Sequence, residues 1–174
     1  SFLLQTSILE RLSGPLCAAV TEQIDSSGLL ETLERGNLFI VPLDDQRQWY
    51  RYHHLFTEVL LAHALEEQPD QIPLLHKRAS AWYEQNNLPA EAIRHALAAR
   101  DFERAAGLIE TAYPAMDATF QDTAWLGWVR KLPDEVARVR PVLSVDYARA
   151  LMDIGEFEAG KPWLLDAEQR LEGS

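Results

Sequence analysis

Trp49–Leu61 reads WYRYHHLFTEVLL, and its reading decides the fold. Trp49 to Phe56 holds four aromatics, Trp49, Tyr50, Tyr52 and Phe56, together with the adjacent pair His53 and His54. Aromatics at this density favour a strand, whereas Leu55, Val59 and Ala62 fall on one helical line and Phe56, Leu60 and Ala64 on the adjacent one. No Gly or Pro separates the two patterns. The stretch therefore predicts a strand running straight into a helix, which sets imidazoles beside the open amides of a helix N-terminus, a place that receives anions well. Adjacent residues at a strand end point in opposite directions, so only one of His53 and His54 faces any given ligand. With His53 ending the strand and His54 opening the helix, His53 is the one placed to reach a phosphate. The plainer alternative makes both of them aromatic-like core or rim residues bonded to backbone carbonyls.

Upstream, FLLQTSILERL at residues 2–12 puts Phe2, Leu3, Leu4, Ile8, Leu9 and Leu12 on one face and predicts a helix over that whole span. Ser13-Gly14-Pro15 stops it and starts a short second helix, Leu16 to Gln23, with Pro15 in the first turn. A third helix follows Ser26-Ser27-Gly28 and ends at the cap signal Arg35-Gly36-Asn37. Leu38-Phe39-Ile40-Val41 then reads as a strand stopped by Pro42, and after the polar loop Asp44 to Gln48 the strand Trp49–Tyr52 closes a hairpin. Three helices followed by a hairpin is the element order of a winged helix. Such modules often read DNA through their third helix. Here that helix carries Glu31 and Glu34 against Arg35, and residues 1–65 hold 4 basic and 8 acidic side chains, which speaks against DNA reading.

Downstream, the helix that starts at His54 runs to residue 66, and Glu66–Pro73, EEQPDQIP, reads as a loop and domain boundary. Helices follow over residues 75–85, 90–99 and 102–112, the last ended by Pro114. ALAARDFERAAGLIE at 96–110 and ALMDIGEFEAGKPWLLDAE at 150–168 share one grammar: a helix, a tight turn, an acid followed by Phe (Asp101-Phe102, Glu156-Phe157), and a second helix with small residues on its packed face. These are stacked helical hairpins, although the two phenylalanines stand 55 residues apart and no regular repeat emerges. Between them, Gln121–Lys131 carries Trp125, Leu126, Trp128 and Val129, and Asp134 is expected to cap a short helix to Arg138. The fold class is mainly α: a winged-helix domain with a two-stranded β-hairpin followed by tetratricopeptide-like antiparallel helical hairpins, and the family resemblance described below implies the division into a winged helix at 1–67, a helical arm at 68–113 and the start of a superhelical sensor at 114–174. An apolar face at the last hairpin and a helical pattern already running at Ser1 predict that both ends are cut from a longer protein.

Composition excludes several chemistries. A formal charge of −11, from 16 Lys+Arg against 27 Asp+Glu, does not suit a protein whose main partner is a nucleic-acid backbone. The single Cys17, set in Pro-Leu-Cys-Ala-Ala-Val, reads as a small buried hydrophobe in a reducing compartment. No apolar run reaches the 18 or so residues that a membrane helix needs. His63, His76 and His95 make no compact ligand set with His53 or His54, so no metal is expected. No phosphate-binding Gly-rich loop and no nucleophile elbow is present, so no catalytic residue is expected.

FLLQTSILERL, NLFIVPLDDQRQWYRYHHLF and LPAEAIRHALAARDFERAAGLIE, in that order, resemble the middle of the MalT-like, ATP-dependent LuxR-family transcriptional regulators, which are signal-transduction ATPases with numerous domains. The resemblance is close over residues 2–112 and looser beyond. It implies a winged helix and arm lying between a P-loop domain and a superhelical sensor, with a C-terminal helix-turn-helix that reads DNA. It also implies that a winged-helix histidine touches the phosphates of bound ADP and helps hold a resting state. The matching position is His53 in Tyr52-His53-His54-Leu55-Phe56, with His54 standing where some relatives carry another residue. The expectation is a regulatory, non-catalytic segment of a cytoplasmic transcription activator that relays nucleotide and inducer state. Its partners are the neighbouring P-loop and sensor domains, self-association of the parent included, with DNA met only through the helix-turn-helix and no membrane. ATP or ADP belongs to the parent; the segment itself carries no cofactor. The alternatives are a stand-alone helical-repeat interaction module and a small DNA-binding regulator.

Overall fold

A computed structural model describes residues 1–172; Gly173 and Ser174, at the end of the segment expected to begin the superhelix, lie outside the described residues. The chain forms two compact units, Ser1–Asn87 and Leu88–Ser174. The first carries α1 (Phe2–Thr6), α2 (Gly14–Thr21), α3 (Ser26–Arg35), β1 (Ile40–Pro42), β2 (Tyr50–Tyr52), α4 (His54–Glu67) and, after a 3-10 turn at Pro69–Gln71, α5 (Ile72–Gln85). The second carries α6 (Pro89–Ala98), α7 (Phe102–Ala118), α8 (Asp122–Val129), α9 (Asp134–Arg138), α10 (Pro141–Asp153) and α11 (Phe157–Glu172). This is the expected class: mainly α, a winged helix with an antiparallel two-stranded hairpin, then antiparallel helical hairpins.

The helix expected over 2–12 is the main departure. It ends at Thr6, because the Thr6 and Ser7 hydroxyls turn back onto the carbonyls of Phe2 and Leu4 at 2.9 and 2.7 Å, an alternative to continuing the ladder. Leu12 then finds its partner far away. It exchanges two N–H···O bonds of 2.8 Å with Tyr50, adding an isolated bridge to the free edge of β2. Ile8, Leu9 and Leu12 stay buried, so the apolar pattern was read correctly and its backbone was not.

In the hairpin, Ile40 pairs with Tyr52, Val41 with Arg51 and Pro42 with Tyr50. Tyr50 and Tyr52 point into the core, and Arg51 between them is exposed. The Tyr52 hydroxyl meets Thr6 Oγ1 at 2.7 Å in a buried contact, which ties the strand to α1. Asp44 holds the wing loop by accepting the N–H groups of Gln48 and Trp49 at 3.0 and 2.8 Å. Cys17 lies in the core of this unit, where burial pushes its thiol up to about 12, the state of an inert packing residue.

The loop expected at Glu66–Pro73 is shorter than its composition suggested. Helix α4 runs through Glu67, and Pro73 sits in the first turn of α5, where its missing N–H costs nothing. α5 packs against α2: the Arg78 guanidinium donates to the Val20 carbonyl at 3.1 Å and pairs with Glu22 at 2.7 Å, satisfying the end of α2. The boundary expected at 67 follows composition and the one at 113 follows the family resemblance, whereas the division at Asn87 follows contact and keeps α5 with the winged helix.

In the second unit the shared grammar becomes shared geometry. Arg100 and Gly155 both adopt left-handed backbone, at φ 55° and 86°. The Asp101 N–H returns to Ala96 O at 3.0 Å and the Glu156 N–H to Leu151 O at 2.8 Å, the same helix-ending motif twice. Ala105 and Gly160, at matching positions of α7 and α11, are buried, and a Cβ on Gly160 would meet the Ala148 carbonyl at 3.0 Å. Pro114 does not end α7 as expected. It removes one intrahelical bond, yet buried Tyr113 and half-buried Met116 keep the following turn on the core, and the Thr119 hydroxyl closes it on Ala115 O at 2.8 Å. Asp134 opens α9 without capping it; Pro133 holds the cap position. Trp125 is fully buried in the middle, its indole N–H donating to Ile109 O at 2.8 Å.

Candidate functional site at the head of helix α4

The strand-to-helix junction read from Trp49–Leu61 is present and has no intervening residue beyond His53. That residue takes the N-cap position of α4 with extended backbone (φ −60°, ψ 137°), and its carbonyl accepts the N–H groups of Phe56 and Thr57 at 2.9 and 3.0 Å. Its own N–H donates to Phe39 O at 2.6 Å. The backbone of His53 is thus fixed from both sides, while its ring makes no capping bond to the helix.

Phe39 matters to this geometry. It holds a left-handed φ of 57°, a costly conformation for a bulky residue, and its ring stacks on Phe56 with centroids 5.0 Å apart. The other edge of Phe56 meets Tyr52 at 5.7 Å. Phe39, His53, Leu55, Phe56 and Val59 together line a shallow recess of about 410 Å³ that is almost wholly apolar apart from the imidazole. Phe39, Leu55 and Val59 are exposed, so the recess opens to solvent on the surface of this unit.

His54, the first residue of α4, behaves differently. Its side chain is exposed and runs along the helix to Glu58, with Nε2 at 3.5 Å from Oε1. The structure brings His53 to the recess and leaves His54 on the solvent side. His63 is exposed further along α4; His76 and His95 sit on α5 and α6, and His95 is buried with Nε2 at 3.3 Å from Arg94.

Helix ends usually attract compensating charge, and the head of α4 has none of its own: no acidic residue stands in its first turn and no side chain caps it. Among the described residues an arginine is the neighbour that sequence reading missed. Arg51 and His53 flank buried Tyr52, and the period-2 alternation of a strand sets both on the exposed side. That alternation was the signal available for finding it. The other arginines of this region are engaged: Arg35 pairs with Glu31 at 3.4 Å, Arg47 with Glu34 at 2.8 Å, and Arg11 lies over the Trp49 ring at 5.3 Å. Both arginines beside α3 are therefore neutralised by that helix's own glutamates, which leaves α3 without a cationic face for DNA.

An imidazole at a helix N-terminus, with exposed Arg51 two residues before it and an apolar shelf beside it, can receive a phosphate together with a flat or apolar group. Among the described residues no helix is long and apolar enough to cross a membrane.

Residues 1–72 match the MalT winged helix domain. The chain is 34% identical over 153 residues, 87% of its length, to the serine/threonine-protein kinase PknK of Mycobacterium tuberculosis, of which it spans 14%. It is 38% identical over 100 residues to the HTH-type transcriptional regulator MalT of Vibrio parahaemolyticus, and 37% identical over 101 residues to that of Klebsiella pneumoniae, in both cases 58% of this chain and 11% of the relative. The chain thus spans about a seventh or less of the curated relatives it matches. Fold and sequence agree that residues 1–72 are a winged helix domain of the MalT type and that the chain carrying it is MalT-like.

Proposed function

We propose that this chain is a regulatory, non-catalytic part of a transcription regulator, and that it relays nucleotide state from a P-loop domain of the same protein toward its sensor and DNA-binding parts. The observation that carries this reading is the head of α4, where exposed His53 takes the N-cap two residues after exposed Arg51 and no acidic residue stands in the first turn. In the relay, phosphates of ADP held elsewhere meet His53 and favour one arrangement of the domains; loss of that contact releases the other. Phosphate also favours the charged imidazole, which strengthens the bond. α4, continuous from His54 to Glu67, carries the change away from the contact. The protein is cytoplasmic on this reading, and ATP or ADP is bound by the parent and not by this chain alone.

The relatives support a sensing role over an output role. Similar segments occur in proteins named as a protein kinase and as a transcriptional regulator, so what the segment does is compatible with either output. The helical hairpins of the second unit favour an interaction module as the second reading, and the neutralised face of α3 weighs against direct DNA reading.

The test is His53→Ala in the full-length protein. A charge-assisted hydrogen bond of about 1.5–3 kcal/mol predicts a loss of ADP affinity of roughly ten- to a hundredfold, together with higher inducer-independent activity. Unchanged ADP affinity with normal repression would remove His53 from the mechanism. The chain alone should bind ADP weakly or not at all, and micromolar binding in a calorimetric titration would contradict the relay as drawn.

A further inference from the structure

A recess of about 380 Å³ lies within the first unit, between the heads of α2 and α3, the wing loop and α5, and it shares no residue with the recess at His53. Part of its lining is apolar: Leu30 of α3 is buried, and Trp49 and Trp82 stand half-buried and edge to face, with centroids 6.3 Å apart and planes at 75°. These walls are held in place. Asp44 accepts the N–H groups of Gln48 and Trp49, which fixes the wing loop, and the Arg11 guanidinium lies over the Trp49 ring at 5.3 Å. Gly14 lines the recess as well; a Cβ there would overlap Ser27 Oγ and press on Ser27 Cα at 3.3 Å, so the heads of α2 and α3 approach this closely because position 14 carries no side chain.

The polar lining has both signs of charge. Glu31 and Glu34 stand one turn apart on α3, and Arg47 donates from Nε to Glu34 Oε1 at 2.8 Å. That bond holds the guanidinium beside α3 and leaves its Nη1 and Nη2 groups without a partner among the described residues. Glu31 and Arg47 both line the recess. Glu31 also meets Arg35 at 3.4 Å, but those side chains are 57% and 82% exposed, and an ion pair so open to water is weak enough to yield to a ligand. Glu31, Glu34, Arg35 and Arg47 sum to no net charge. A phosphate would find carboxylates here and a simple cation would find guanidinium groups, whereas a zwitterion matches both. Ser27 and Gln48 add neutral hydrogen-bonding groups at the rim.

We propose that this recess binds a free α-amino acid with a large apolar or aromatic side chain, its carboxylate on Arg47, its ammonium on Glu31 and its side chain against Trp49 and Trp82. A guanidinium fork fits a carboxylate with two parallel bonds. Indole rings receive an aromatic or aliphatic side chain by stacking and by burial of apolar area. Ligand pockets hold roughly 300–1,000 Å³, so a recess at the lower end of that range admits one amino acid and not a peptide. The proposal does not depend on the nucleotide contact at His53. A bound amino acid joins the wing loop to α3 and α5, and so acts as an effector of the winged helix.

The test titrates L-phenylalanine into the whole chain, read by calorimetry and by tryptophan emission, since Trp49 and Trp82 line the recess. The dissociation constant should be on the order of 0.1–1 mM. L-alanine, which lacks the ring, and phenylalaninamide and N-acetylphenylalanine, which each lack one charge, should bind roughly tenfold more weakly or worse. Arg47→Gln and Glu31→Gln, both at exposed positions, should each weaken L-phenylalanine by roughly tenfold with an unchanged circular dichroism spectrum. Lys161→Gln, in the second unit, should leave binding as it was. Three results would overturn the site: no saturable binding of L-phenylalanine or L-leucine at about ten times the expected constant, binding of the amide or the acetyl derivative as tight as that of L-phenylalanine, or binding that survives Arg47→Gln.

Discussion

Two helices in this molecule begin under opposite rules. α7 is completed from within: Asp101 holds the N-cap with its carboxylate accepting the Arg104 N–H at 3.4 Å, and Glu103 stands in the first turn, as the helix dipole favours. α4 begins at His53, with no side-chain cap and no acid in its first turn, beside exposed Arg51 and an open apolar recess. The first arrangement needs nothing further. The second leaves positive potential and apolar surface together, a combination that costs stability in isolation and gains value only when an anion arrives. Where local structure closes on itself the residues are architecture, and where it stays open they are candidates for contact.

The largest expected effect lies on the closed side. Trp125→Ala removes a fully buried ring together with its bond to Ile109 O, and should cost about 3–5 kcal/mol. Hydrogen exchange should show α7 and α8 losing protection while α2 and α5 keep theirs. Equal loss in all four helices would mean that the two units do not unfold independently. The next effect lies on the open side: His53→Ala should lower ADP affinity in the full-length protein by roughly ten- to a hundredfold while changing the stability of this chain by no more than about 0.5 kcal/mol. A large stability loss would make His53 architectural and collapse the contrast. Asp101→Ala sharpens it from the other direction. Losing the cap of α7 should cost about 1 kcal/mol by urea denaturation, with no change in nucleotide binding.

Most of the fold was legible because it is local. The winged hairpin, the helices and the paired turns at Arg100 and Gly155 rest on patterns that span a dozen residues or fewer, and the strand-to-helix junction needed only the absence of a break between Tyr52 and Leu55. What escaped reading was decided at a distance. Nothing near Leu12 announces that it will bond to Tyr50, and the apolar face of residues 2–12 is equally well buried by a broken helix. Pro114 was read as a stop because local preference says so, and the packing of Tyr113 and Met116 overrode it. At the candidate site His53 was legible as a junction residue. Arg51 was present in the alternation and went unused, since its exposure follows from the burial of Tyr50 and Tyr52 on either side.

A small gain in stability is the most discriminating outcome, because one substitution converts one kind of helix head into the other. In His53→Asp the new carboxylate occupies an N-cap whose backbone is already extended, the conformation in which Asp accepts an N–H from the first turn. It also brings negative charge to the positive end of the dipole. Stability should therefore rise, by about 0.5–1 kcal/mol in urea denaturation. Nucleotide retention in the full-length protein should fall further than in His53→Ala, because the carboxylate fills the amides and repels phosphate. If the open head of α4 were simply an imperfect cap, the same substitution would improve stability and leave ADP affinity untouched. A gain in one property bought at the expense of the other is what separates a contact site from a flaw.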